Sequence, residues 1–291
     1  MTAVSVAIPK AFIWRRIHSL MGLWIVLFLI EHLLTNSQAA LWLGDNGKGF
    51  VDMVNGIHNF PYLEVIEISL IGVPILIHMY WGVKYLLTSK FNSFGEKEKA
   101  PHLPLGRNRA YTWQRITSWI LLIGIIGHVT KFRFLEYPEK MDVGNQTVYL
   151  VKVSMDDGLR SVADRLDVTL YDPHKKVVIS GAADHLVPAL EKVKASSGDV
   201  VACAKDFGTA SLFAVRNTFK NPIYIALYTI FVIAACFHAC NGFWTFLITW
   251  GWVLRMAAQR AWVTVSIVFM AILLFLGMIA VWGTYWLNLR T

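Results

Sequence analysis

The sequence predicts an all-α polytopic membrane protein: five transmembrane helices, with one small α/β domain inserted between the third and fourth. Three observations predict it. Of 291 residues, 56% are hydrophobic and only 16% are charged, where a soluble domain carries about 25% charged residues. Five apolar runs reach roughly the 20 residues needed to cross a hydrocarbon core. The stretch between the third and fourth runs changes character, becoming polar, charge-balanced and strand-like.

The first run, about Ile17–Asn36, follows Lys10, Arg15 and Arg16. With Ser37-Gln38-Ala39 behind it, this segment loosely imitates a cleaved signal. Its basic region is long, however, and Glu31-His32 interrupts the apolar run, so it is expected to remain as a helix. The second run is Glu64–Leu87 and the third Ile116–Phe132. From the end of the second to the start of the third stand Lys84, Lys90, Lys97, Lys99, Arg107, Arg109 and Arg115, against Glu96 and Glu98. The fourth, Pro222–Trp250, and the fifth, Trp262–Leu287, are separated by Arg255 and Arg260. The alternate loop, Thr35–Leu63, holds only Lys48 against Asp45 and Asp52. The positive-inside rule therefore predicts a cytoplasmic N-terminus and an external C-terminus.

Within the connection from Lys131 to Lys220, Thr147–Val153, Lys175–Ile179 and Asp199–Ala204 read as strands bounded by turn residues. Asp157–Leu166 and Asp184–Lys194 read as amphipathic helices opening on an acidic residue. The predicted organisation is thus 1–135 for helices one to three, 142–216 for an extracytoplasmic α/β domain, and 221–291 for helices four and five. His174 and His185 read as surface residues of that domain.

The net charge of +8 lies beside apolar runs, so membrane orientation explains it without nucleic acid. Lipid is the partner these faces predict. Cys203, Cys236 and Cys240 form no CxxC, CxxCH or metal-finger spacing, which argues against a covalently attached haem.

Four of the apolar runs hold a deep histidine, and ionisable groups inside a membrane are functional candidates by default. His32 lies 18 residues after Trp14 and His128 lies 15 after Trp113; His78 lies 16 after Tyr62 and His238 lies 16 after Pro222. At ~1.5 Å per residue, each is ~22–27 Å from the face where its helix begins. Helices one and three start in the cytoplasm, whereas two and four start outside. His32 and His128 are therefore expected in the outer half of the bilayer, and His78 and His238 in the inner half. Two histidines from facing helices can supply both axial nitrogens of a haem iron, so two b haems are expected. A tetrahedral zinc site would want further ligands. A proton relay competes, but does not require equal depths in pairs. Gly22, Gly72, Gly82, Gly124, Gly127 and Gly242 would admit a macrocycle, with plain helix packing as the competing account. His18, with Arg15, Arg16 and Arg115, would suit haem propionates, although basic flanks set by topology would look the same.

The pattern resembles a known family. Arg15-Arg16-Ile-His18-Ser19 and Phe28-Leu-Ile-Glu-His32-Leu stand in helix one, and Glu67 with Pro74-Ile-Leu-Ile-His78 in helix two. Gln114-Arg115-Ile-Thr117 and Gly127-His128 stand in helix three. Phe237-His238-Ala-Cys-Asn241-Gly242-Phe-Trp244 stands in helix four. Together they resemble the five-helix, dihaem cytochrome b anchor subunit of succinate:quinone oxidoreductases. The resemblance implies His78 and His238 on the iron of an inner haem, and His32 and His128 on that of an outer one. It also implies a bacterial-type cytoplasmic membrane, with flavoprotein and iron–sulfur subunits docked on the cytoplasmic face. Menaquinone or ubiquinone would be the membrane substrate. Glu31, Glu64 and Glu67, with Asp52 and His58, are the candidates for quinone proton handling. The inserted domain departs from the family's usual length. Two alternatives remain: a quinone-reactive cytochrome b of another respiratory dehydrogenase, and a haem-free transporter.

Overall fold

Among the described residues of the computed structural model, five helices are long and apolar enough to cross a membrane: α1 (Lys10–Ser37), α3 (Leu63–Thr88), α4 (Gly106–Leu135), α8 (Pro222–Thr249) and α9 (Met256–Asn288). The structure describes residues 8–88, 106–181, 187–191, 193 and 196–291. Lys90, Glu96, Lys97, Glu98, Lys99 and His185 lie outside these, as does the start of the helix expected over Asp184–Lys194.

Several helices outrun their apolar stretches. α1 starts at Lys10 and α4 at Gly106, because Lys, Arg and Trp at the interface continue a helix without penalty. α8 begins on Pro222, where the missing N–H is no loss, and Asn221 Oδ1 accepts from Ile223 N at 2.9 Å. Among the described residues, three stretches are π-helical: Ile68–Gly72 in α3, Thr130–Leu135 in α4 and Ile279–Asn288 in α9. Pro74 follows the first of them. Its ring cannot donate to the carbonyl four residues back, and that carbonyl, Leu70 O, instead accepts from Trp24 Nε1 at 2.5 Å. A neighbouring helix thus satisfies the group that the proline frees.

The chain divides into two compact units, Met1–Glu31 with Glu64–Ile123 and Ile233–Leu274, and His32–Leu63 with Gly124–Val232 and Phe275–Thr291. In the first, Trp14 of α1 stacks on Trp81 of α3 at 4.8 Å. Phe246, Leu247 and Val253 form a buried cluster with Leu23 and Trp262.

The second unit contains a five-stranded antiparallel sheet, ordered β1 (Glu139–Val143), β2 (Gln146–Ser154), β5 (Asp199–Ala204), β3 (Thr169–Asp172), β4 (Val177–Ser180). Successive residues alternate between two cores. On one face Val151, Val153, Leu170, Val200 and Ala202 meet α5 (Leu159–Arg165), α7 (Phe207–Phe219) and Phe50 of α2 (Lys48–His58). On the other, Val148, Leu150, Tyr171, Val201 and Cys203 meet Leu190 of the short α6 (Val187–Leu190). β5 is central and covered on both sides, which is why it reads as an unbroken apolar run. Burial also pushes the Cys203 thiol up to about 11. β2 and β5 lie where strands were expected, α5 falls inside Asp157–Leu166, and β4 is shifted toward Ser180. The connection Thr35–Leu63, read from the sequence only for its charges, carries α2: Phe50, Val51 and Val54 give it an apolar side that packs on this core. β1, β3 and α7 are further elements that the sequence reading passed over.

Arg216 of α7 is 1% exposed and forms a two-pronged pair with Asp156 at 2.7 and 2.8 Å, its Nε donating to Leu289 O at 2.7 Å. Lys220 also donates to Asp156, at 3.2 Å. Burial alone would raise the Asp156 carboxyl, but the hydrogen bonds and charges of Arg216 and Lys220 outweigh it and hold the group below the usual carboxylate range.

Candidate functional site

Two histidine pairs form, one in each unit. In the first, His78 of α3 and His238 of α8 have ring centres 6.2 Å apart and ring planes at 83°. In the second, His32 of α1 and His128 of α4 are 5.7 Å apart at 88°. Two metal–imidazole bonds of about 2 Å on opposite sides of one metal set the ring centres roughly 6 Å apart. Both pairs fit that spacing, and two nitrogens from different helices are the donor set of a six-coordinate haem iron. Among the described residues, no group of three or more His, Cys, Asp or Glu could hold a metal ion in the manner of a zinc centre.

The surroundings of each ring decide which nitrogen is free. His78 Nδ1 lies 3.0 Å from the backbone carbonyl of His18. A carbonyl only accepts, so Nδ1 carries the proton and Nε2 keeps its lone pair. The His18 ring stacks on that of His78 at 4.0 Å and 11°, and a Cβ on Gly22 would meet the His78 ring at 2.9 Å. Glycine is therefore needed at Gly22 for the close approach. On α8, His238 Nδ1 lies 3.4 Å from Thr117 Oγ1 and 3.5 Å from Ser118 Oγ. Its backbone carbonyl accepts from Gln114 Nε2 at 3.1 Å, and Gln114 Oε1 accepts from Asn241 Nδ2 at 2.8 Å. In the second pair, His128 Nδ1 lies 3.1 Å from the Tyr228 hydroxyl, and His32 O accepts from Asn36 Nδ2 at 2.8 Å. A Cβ on Gly124 would strike the Phe231 ring.

The remaining expected residues are placed as follows. Arg16 donates to Thr249 O at 3.2 Å and lies 5.9 Å from the Trp250 ring centre; Arg15 is exposed and Arg115 buried. His18 Nδ1 and Trp250 Nε1 are buried without a hydrogen-bond partner among the described residues. Such orphaned groups suit the carboxylates of a bound macrocycle. Glu31 and Glu64 are exposed and Glu67 half-buried. Asp52 pairs with Lys48, His58 stacks on Phe207 at 3.8 Å, and His174 is exposed beside Ser196 O at 3.0 Å. Sequence reasoning gave no role to Tyr228, Ser118 or the Gln114–Asn241 pair. Their signal is contact across 100 or more residues of chain, which no local pattern carries.

Fold and site together define a polytopic helical membrane protein with paired histidines on separate helices. The succinate dehydrogenase cytochrome b558 subunit of Bacillus subtilis (strain 168) is similar to the chain, 23% identical over 275 residues that cover 94% of this chain and 97% of that protein. No family model matches the chain, and no solved structure matches it.

Proposed function

We propose that this chain is the membrane-anchor cytochrome b subunit of a succinate:quinone oxidoreductase, binding two b haems and passing electrons between an iron–sulfur subunit and membrane quinone. The observation that carries the reading is the doubled pair, with ring centres 6.2 and 5.7 Å apart on helices that cross a membrane. Similarity along nearly the whole length of a cytochrome b558 subunit supports it.

His78 and His238 would hold the inner haem iron, and His32 and His128 the outer. When bound, the haems supply one-electron transfer. The protein's own residues bind and orient. His18, Arg15, Arg16 and Arg115 offer donors and charge to the propionates, and the carbonyl of His18 holds the His78 ring in its ligating tautomer. Glu31, Glu64 and Glu67 would exchange the protons that quinone chemistry requires. The basic cytoplasmic flanks, including Arg107 and Arg109, would face the flavoprotein and iron–sulfur subunits, leaving the 142–216 domain and the C-terminus outside. This chain would not bind the dicarboxylate.

The test is a reduced-minus-oxidised spectrum of the detergent-purified protein, with haem counted per chain and co-purifying subunits assayed for flavin and iron–sulfur centres. Two six-coordinate b haems per chain and both partners are the expected result. Absence of haem from cells able to supply it would overturn the reading and favour the transporter class. Haem with a different catalytic partner would leave the cytochrome reading and remove the succinate one.

A further inference from the structure

The three ligand candidates with a described Nδ1 neighbour differ in what that neighbour can do. His78 faces a backbone carbonyl, which is an acceptor under all conditions. His238 faces two hydroxyls at 3.4 and 3.5 Å, but both of those donate to their own helix, Thr117 to Trp113 O at 2.8 Å and Ser118 to Gln114 O at 2.7 Å. With their protons so engaged, they present only lone pairs to the imidazole. His128 faces the Tyr228 hydroxyl at 3.1 Å. That oxygen can accept from Nδ1–H or donate to a bare Nδ1, and only the first arrangement frees Nε2 for a metal.

Packing fixes where this hydroxyl stands. The Tyr228 ring is held edge-on by Phe219 at 5.2 Å, Phe231 at 5.9 Å and Phe132 at 6.2 Å. Gly124 lets α8 approach so closely that a Cβ there would strike Phe231. The tyrosine is therefore pre-placed beside His128 by an aromatic cluster, and its position does not depend on the hydrogen bond.

We infer that Tyr228 is the positioning residue of the outer site, accepting the Nδ1 proton of His128 so that Nε2 points its lone pair at the haem iron. This rests on the haem reading above. One helix, α8, then does two jobs: it supplies a ligand, His238, to one pair and the orienting hydroxyl to the other. An acceptor at Nδ1 makes the opposite nitrogen more basic and so favours oxidised iron. Removing it should raise the outer haem's reduction potential.

The experiment is a redox titration of the full chain in its native membrane, wild type against Tyr228→Phe, resolving the two haems by potential and by low-spin electron paramagnetic resonance. Tyr228→Phe keeps the ring and its packing. The expected result is an upward shift of the outer component alone, with the inner component as internal control. Tyr228→Gln, which returns an acceptor, should lie closer to wild type than Phe. Should Tyr228→Phe fail to assemble, Gln is compared with Tyr228→Met, which has similar length and no comparable acceptor. Equal potentials for wild type and the acceptor-less variant would overturn the inference, as would equal shifts in the Gln and acceptor-less variants, which packing alone would cause. A wild-type chain without haem would instead overturn the reading beneath it, so the two failures are distinguishable.

Discussion

The two histidine pairs set the same side chains in different surroundings. The His78–His238 pair is wrapped in polar backbone and amide groups: a carbonyl from His18, hydroxyls from Thr117 and Ser118, and the Gln114–Asn241 link. The His32–His128 pair has a tyrosine and a cluster of phenylalanines around His128, and shares its compact unit with the five-stranded sheet. Ring spacing alone makes the sites look interchangeable, yet each should answer to a different set of mutations.

The largest expected effect comes from the ligands. His78→Ala or His238→Ala should halve the haem per chain by removing the inner component, and His32→Ala or His128→Ala should remove the outer. Pyridine haemochrome assay with redox titration checks this, and full haem content in all four variants would dissolve the comparison. Next is Arg216→Ala, which strands Asp156 beside Lys220 in the sheet-bearing unit. Breaking a buried pair destabilises by about 3–5 kcal/mol, so limited proteolysis of the domain should accelerate and the outer haem should be released at lower temperature than the inner. Simultaneous release would show that the units do not differ in this respect.

A smaller effect is expected from the close-approach glycines. Gly22→Ala puts a methyl within 2.9 Å of the His78 ring and Gly124→Ala puts one against Phe231. Each should broaden the low-spin signal of its own site and leave the other sharp. The mildest perturbation is acid. Asp156 has its folded value lowered, so its contribution to stability is complete above the ordinary carboxylate range and is lost as pH falls through that lowered value. Hydrogen exchange in β2 and α7 should accelerate across that window, while the amides around His78 and His238 keep their protection. Arg216→Ala should weaken the acid dependence, leaving only the part that Lys220 supplies.

Long apolar runs made the five membrane helices legible, since length and hydropathy are local properties. Histidine spacing likewise carried the pairing, because helix rise converts residue number into height. β2 and β5 were readable from their Val-rich runs, whereas β3 has four residues and too little pattern to stand out. α2 was missed because its apolar side matters only once the sheet, which begins more than 80 residues later, is present to bury it. Tyr228 was missed for a related reason: to the sequence it is one more aromatic residue in an apolar run, and only the approach of α4 gives its hydroxyl a task.

The π-helical stretches have a consequence for how this chain changes over evolutionary time. A π turn holds about one residue more than an α turn, so each is a place where a single-residue insertion can be absorbed without breaking the helix. Deleting one residue within Ile68–Gly72 would restore an unbroken α repeat and leave His78 on the same face relative to Glu64, whereas one residue deleted from the α-helical stretch between them would swing it by about 100°. Single-residue gaps between this chain and its relatives are therefore best sought within Ile68–Gly72, Thr130–Leu135 and Ile279–Asn288. A lineage that lost a residue elsewhere in these helices would have to turn the helix beyond it or find a new face for the residues it carries.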